Sequence, residues 1–181
     1  MRHTCCQRVY YLSLGSNLGD RQAHLAAAVD FLNNIGTVLK QSSLYETVPV
    51  GMAIETGLFF NMAVCFGSDL EPTELLREIK GFEQHMGRDV ARSHNLPRTV
   101  DIDILLMEQI EGPTRRGSRV LKTRDLEIPH SLMTERGFVL VPLSEIAPDV
   151  IHPVRLQTIT ELLAELPQPL QGIRPVLTVP S

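Results

Sequence analysis

A chain of 181 residues with 43% hydrophobic and 21% charged side chains is long enough for one packed domain with a cleft, and too short for two well-buried cores. The net charge of −4 and the 5% of aromatic residues, with no Trp, argue against a nucleic-acid binder, which needs a basic face or exposed rings. Cys5, Cys6 and Cys65 form no CxxC and fit free thiols in a reducing compartment. The N-terminus lacks an apolar signal core and no apolar run approaches the roughly 18 residues of a membrane span, so the expectation is a cytoplasmic protein without membrane partners, a monomer or weak homo-oligomer.

Val9 to Leu14 is a β-prone run stopped by Gly15-Ser16-Asn17, and reads as a first strand. Asp20 can cap a helix whose apolar face is Leu25, Ala28, Leu32 and Ile35, ended by Gly36. Thr37 to Thr47 reads as a second strand, Val48 to Gly57 as a loop carrying Pro49 and two glycines, and Leu58 to Phe66 as a third strand. A second helix opens near Pro72, buries Leu75, Leu76, Ile79 and Phe82, and ends near Gly87. Arg88 to Thr99 has no period, and Val100 to Met107 is a strand. The order β-α-β-β-α-β predicts an α+β, ferredoxin-like fold: a mainly antiparallel sheet with helices on one face, the other face or its edge being left for ligands. A basic hairpin (Glu111 to Arg119), a loop at Ile128-Pro129-His130, a short apolar run at Phe138 to Leu143 and a last helix over Thr160 to Leu166 follow. Residues 1–166 are expected to form a single domain and 167–181 a loose, Pro-rich tail.

Asp101 and Asp103 carry the strongest chemical signal. Residues i and i+2 of a strand share a face, with Cα atoms roughly 6–7 Å apart. Two carboxylates so placed repel unless a cation lies between them, while Ile102, Ile104 and Leu106 are expected to point the other way into the core. Magnesium takes one or two carboxylates and completes its shell with water and phosphate. A solvated edge with two paired acids is the plainer alternative. Just upstream, Arg88, Arg92 and Arg98, with His94, lie in a Gly- and Pro-punctuated stretch. Arginine binds phosphate oxygens bidentately, so this stretch reads as a basic lid over a metal–triphosphate, or else as a solvated charged loop. Asn61 is the single strong polar group of its strand. It suits the amide-like edge of a heterocycle, or is a capped or edge-facing amide. Phe59 and Phe138 could stack on a ring, although core packing is the default for a lone Phe. His130 could contact phosphate or be solvated, and Ser16 and Asn17 resemble turn residues. No GxxxxGK[ST] loop occurs.

Taken together, Leu14-Gly-Ser-Asn-Leu-Gly-Asp-Arg21, Ser42-Ser-Leu-Tyr-Glu-Thr47 with Pro49 and Gly51, Phe59-Phe-Asn61, Glu83, Gly87-Arg88, Pro97-Arg-Thr-Val-Asp-Ile-Asp-Ile-Leu-Leu106, Pro129-His130, Arg136-Gly-Phe138 and Pro142-Leu-Ser-Glu-Ile-Ala-Pro148 resemble the 6-hydroxymethyl-7,8-dihydropterin pyrophosphokinases of folate biosynthesis. The resemblance implies a diphosphokinase (a transferase) that moves a diphosphate from ATP to the pterin hydroxymethyl group and releases AMP. It implies two Mg²⁺ held by Asp101 and Asp103, with Arg88 and Arg98 as further catalytic groups. ATP would be lined by Glu83, Arg88, Arg98, Ile104, His130 and Arg136. The pterin would be held by Thr47, Val48, Pro49, Val50, Phe59, Asn61 and Phe138. The chain departs from the family pattern at Val90, where a second lid arginine is expected and Arg92 is a shifted substitute. It departs also at Asn95 and Leu96, where an aromatic and Gly are expected, at Ser131, and in a longer connection carrying Arg115, Arg116 and Arg119. The altered lid leaves open a non-catalytic pterin- or nucleotide-binding relative.

Overall fold

The computed structural model describes residues 6–48, 57–87, 99–111, 114–167, 170 and 172–176. In chain order the elements are β1 (Arg8–Ser16), α1 (Arg21–Ile35), β2 (Thr37–Gln41), β3 (Tyr45–Thr47), β4 (Phe59–Ser68), α2 (Pro72–His85), β5 (Asp101–Glu111), β6 (Thr114–Ser118), β7 (Leu121–Lys122), β8 (Glu127–Ile128), a 3-10 turn (Met133–Glu135), α3 (Gly137–Ile146), α4 (Ile159–Glu165) and β9 (Ile173–Pro175). The main sheet runs β6-β5-β1-β4-β3-β9, with β2 also paired to β4. Every pairing is antiparallel. The order β5-β1-β4 then β2/β3 is that of the split βαβ expected from the sequence. The single second strand anticipated over Thr37 to Thr47 is two strands, both laid along the long β4.

The α1 N-terminus forms as its sequence dictates: the Ala23 backbone N–H donates to Asp20 Oδ1 at 3.0 Å, satisfying one of the four orphan donors of a helix start. Glu71 and Glu74 cap α2 reciprocally. Leu25, Ala28 and Leu32 of α1 and Leu75 and Ile79 of α2 are buried with Tyr10, Leu12, Leu14, Met62, Val64, Phe66, Ile102 and Ile104, the helix-side row of each strand.

The opposite face is not left open as anticipated. Tyr11, Ala63, Cys65, Leu105 and Leu106 form a second core with Val139, Leu140 and Leu143 of α3 and Ile159 and Leu162 of α4. The apolar run at 138–143 is thus part of a helix packed on that face. Leu106, expected to share the helix side with Ile102 and Ile104, belongs to this second core. The β1–β5 register shifts between Tyr11 and Leu12, and one extra residue at such a bulge reverses which side the following residues face. Part of the stretch expected to be a loose tail is also paired: Ile173–Pro175 adds to the edge of β3. Among the described residues no helix is long and apolar enough to cross a membrane.

Candidate active site

Three central strands, β5, β1 and β4, bring candidate residues into one row. Gly15 of β1 stands opposite Asn61 of β4 on one side and Asp101 of β5 on the other, and Tyr45 of β3 stands opposite Asn61. Asp101, Gly15 and Asn61 therefore form one row across the sheet. Strand spacing puts the two outer Cα atoms about 10 Å apart. Asp103 lies one step along the same face, opposite Ser13. Ile102 and Ile104 point into the helix-side core, so the strand alternation that places the two acids together also anchors them.

Gly15 is required by this row. A Cβ there would lie 3.0 Å from Asn61 Oδ1, so glycine leaves a floor between the amide and the acids, as interior strand glycines commonly do where something must approach closely. Asn61 is buried, and its Nδ2 donates to Thr47 Oγ1 at 2.7 Å, which fixes the amide with Oδ1 toward Gly15. Phe59 is opposite Thr47 across β3–β4, so its side chain shares that face. The Val48 backbone N–H donates to the Gly172 carbonyl at 3.1 Å, tying the end of β3 to the segment leading into β9.

The electrostatics of the acid pair favour a bound cation. Burial, and then the neighbouring Asp101 carboxylate, push the Asp103 carboxyl above the usual carboxylate range, while His130, Lys80 and Arg136 pull it the other way. A carboxyl whose proton affinity is raised by a second acid on the same face is the situation a divalent cation relieves. Among the described residues no third His, Cys, Asp or Glu joins them into a larger cluster. That donor set suits Mg²⁺, whose remaining positions go to water and phosphate. Two groups that would meet phosphate, His130 and Arg136, act on the acid pair from segments outside β5. His130 follows Pro129, its backbone N–H donating to the Leu105 carbonyl at 2.9 Å, and its Nδ1 accepts from the Leu132 N–H at 3.2 Å. Arg136 precedes α3, with its guanidinium carbon 5.6 Å from the centre of the Phe138 ring.

Glu83 has no exposed surface. It accepts the backbone N–H of Ile102 at 2.9 Å and the Lys80 ammonium at 2.9 Å. It thereby occupies the edge of β5 between the two aspartates, where no strand among the described residues pairs. Ile104, another residue expected to line the ATP site, has its side chain buried in the helix-side core, facing away from the aspartates. Arg88, Arg98, Pro49 and Val50, and the lid residues Val90, Arg92, His94, Asn95 and Leu96, lie outside the described residues. Two contributors escaped the sequence reading. Ser16 Oγ donates to the Thr99 carbonyl at 2.6 Å, fixing the chain just before Asp101. Gly15 ends the predicted first strand, and a glycine inside a strand pattern is itself a signal of close approach.

Residues 11–148 match the model of the family described as 7,8-dihydro-6-hydroxymethylpterin-pyrophosphokinase. The chain is 36% identical to a 2-amino-4-hydroxy-6-hydroxymethyldihydropteridine pyrophosphokinase of Aquifex aeolicus, covering 86% of this chain and 90% of the relative. It is 41% identical to the protein of the same name from Bacillus subtilis, covering 78% and 80%. A folic acid synthesis protein of Dictyostelium discoideum is 40% identical over 88% of this chain, which spans only 22% of that longer protein. Among solved structures, an HPPK-DHPS in complex with substrates superposes with a TM-score of 0.65 at 16% identity, over 88% of this chain and 43% of that one. At that identity the likeness speaks for the fold.

Proposed function

The chain belongs to the 7,8-dihydro-6-hydroxymethylpterin-pyrophosphokinase family, and from that premise we propose that it transfers the terminal diphosphate of ATP to the hydroxymethyl oxygen of 6-hydroxymethyl-7,8-dihydropterin in folate biosynthesis, releasing AMP. The observation that carries this reading is the row Asp101–Gly15–Asn61. It sets an amide able to read a heterocycle edge about two strand spacings from an acid pair able to hold metal–phosphate, with a side-chain-free floor between them.

In the reaction the hydroxymethyl oxygen forms a bond to the β-phosphorus of ATP. The bond from that phosphorus to the oxygen bridging to the α-phosphate breaks, its electron pair leaves with AMP, and the hydroxyl proton is released. Asn61, oriented by Thr47, holds the pterin edge, with Phe59 and Phe138 as the ring walls. Asp101 and Asp103 would hold Mg²⁺, two ions in the reading favoured here, which supplies neutralisation of the phosphate charge. Arg136 and His130, with Arg88 and Arg98, stabilise the charge spread over the transferring group. The work of the protein is positioning and charge neutralisation, and no covalent enzyme intermediate is required.

The test is AMP release by the full chain with ATP, Mg²⁺ and the dihydropterin, and by Asp103→Ala. Wild-type AMP release should need all three components. The substitution should lower the rate by roughly 10²–10³-fold in a protein that still unfolds cooperatively. An unchanged rate in Asp103→Ala would remove the acid pair from the mechanism.

A further inference from the structure

Arg21 is a poor choice for its own helix. It is the first residue of α1, the first turn contains no acid, and a cation at a helix N-terminus opposes the helix dipole. Its side chain is instead spent elsewhere. The guanidinium carbon lies 3.8 Å from the centre of the Phe60 ring, Nη1 donates to the Leu58 carbonyl at 2.8 Å, and the same nitrogen is 3.5 Å from Glu46 Oε2. Glu46 and Phe60 are cross-strand partners of β3 and β4. Each is flanked on the other face of the hairpin by groups assigned above to the pterin: Thr47 beside Glu46, and Phe59 and Asn61 on either side of Phe60.

We infer that Arg21 is a positioning residue for the pterin: from the back of the β3–β4 hairpin it locks the pairing that sets Thr47, Phe59 and Asn61 in place. The inference rests on the proposed diphosphate transfer, because it presumes that these three residues meet the pterin. Three interactions of different kinds converge on one side chain. The flat guanidinium stacks on the ring, one N–H fixes the backbone just before Phe59, and the charge holds Glu46. A lysine can supply the charge but not the flat stacked fork. Among the described residues, the side-chain partners of Arg21 are Glu46, Leu58 and Phe60 and none belongs to the acid pair, so its loss should be felt by one substrate only.

The full-length wild type, Arg21→Ala and Arg21→Lys are compared in KM for the dihydropterin and for ATP. Affinity for 6-hydroxymethylpterin is measured in parallel in the presence of α,β-methylene-ATP and Mg²⁺, and stability by urea unfolding. Arg21→Ala should raise the pterin KM and weaken pterin binding by about tenfold, with the ATP KM changing by less than about twofold. Arg21→Lys should recover part of that loss. If alanine unfolds the chain, Arg21→Gln, which keeps a donor toward Leu58 but neither charge nor stacking, should show the same pterin-only effect. An unchanged pterin KM, or equal rises for both substrates, overturns the role while leaving the transferase reading intact. A folded wild type that neither releases AMP nor binds the pterin overturns both.

Discussion

Glu83 does its work without reaching the surface. Its two oxygens take the Ile102 N–H and the Lys80 ammonium, so a side chain caps the edge of β5 between the two aspartates. A buried carboxylate is tolerated only when such partners satisfy it. Glu83→Ala would leave the Ile102 N–H buried without an acceptor and should cost about 1–3 kcal/mol in urea unfolding. Glu83→Gln, which keeps an acceptor of the same reach, should lose less. Equal losses in the two variants would show that the bond to Ile102 contributes nothing. The family resemblance implies that Glu83 lines the ATP site, but its bond to the Ile102 N–H could not be read from the sequence. Nothing in Lys80-Gly-Phe-Glu83 tells a carboxylate that meets a ligand from one that braces a neighbouring strand. The i,i+3 spacing of Lys80 and Glu83 hinted at pairing on a helix face, and only the register of β5 against α2 reveals the third partner.

At the scale of elements, the helix-side layer was legible because Leu25, Ala28 and Leu32 of α1 and Leu75 and Ile79 of α2 recur at helical spacing and both helices carry caps. The other layer was not. The run at 138–143 is apolar on every side because α3 is pressed between the sheet and α4, which erases the period a surface helix shows, and Pro142 inside it argues against a helix on local grounds. Its register is fixed by Glu145, which accepts from the Ser43 backbone N–H and hydroxyl and from the Tyr45 hydroxyl. Two of the segments that carry the family resemblance thus meet each other, and in meeting they hold β3, and with it Thr47. The turn joining α3 to α4 has its own clasp. His152 Nδ1 accepts from the Val154 and Arg155 N–H groups at 3.3 and 3.1 Å, and burial, then the Arg155 charge, push its pKa below the ordinary value. The folded state therefore favours neutral His152, whereas the unfolded chain takes up a proton near pH 6.5. This contribution to stability is complete above about pH 6.5 and is lost as pH falls through that value toward the lowered folded pKa. The urea midpoint of the wild type should fall between about pH 7.5 and about pH 5.5 more steeply than that of His152→Asn, whose side-chain oxygen can accept the same N–H groups without titrating. Parallel slopes would mean that the imidazole is not the sensor.

For the whole molecule, one alternation produces both the core and the site. Along β5, Ile102 and Ile104 close the helix-side core while Asp101 and Asp103 share the opposite face. Along β4, Met62 and Val64 do the same while Asn61 faces Gly15. That much could be read from a period of two and a pair of acids. What could not be read is the distance between them, because the row joining Asp101 to Asn61 depends on which strand lies between. The placement of β1 there, with a glycine in the row, follows from the topology. The bulge that moves Leu106 to the far core lies just beyond this row, so the alternation is intact where the chemistry is proposed and broken only where α3 takes over. The central claim is that one site joins a pterin to the whole diphosphate of ATP in a single transfer. Phosphorus NMR of the products formed from ATP, Mg²⁺ and 6-hydroxymethyl-7,8-dihydropterin tests it most directly. The expected products are AMP and a pterin carrying two coupled phosphorus resonances, in equal amounts. ADP with a pterin monophosphate, or unchanged ATP in the presence of folded protein, would contradict it.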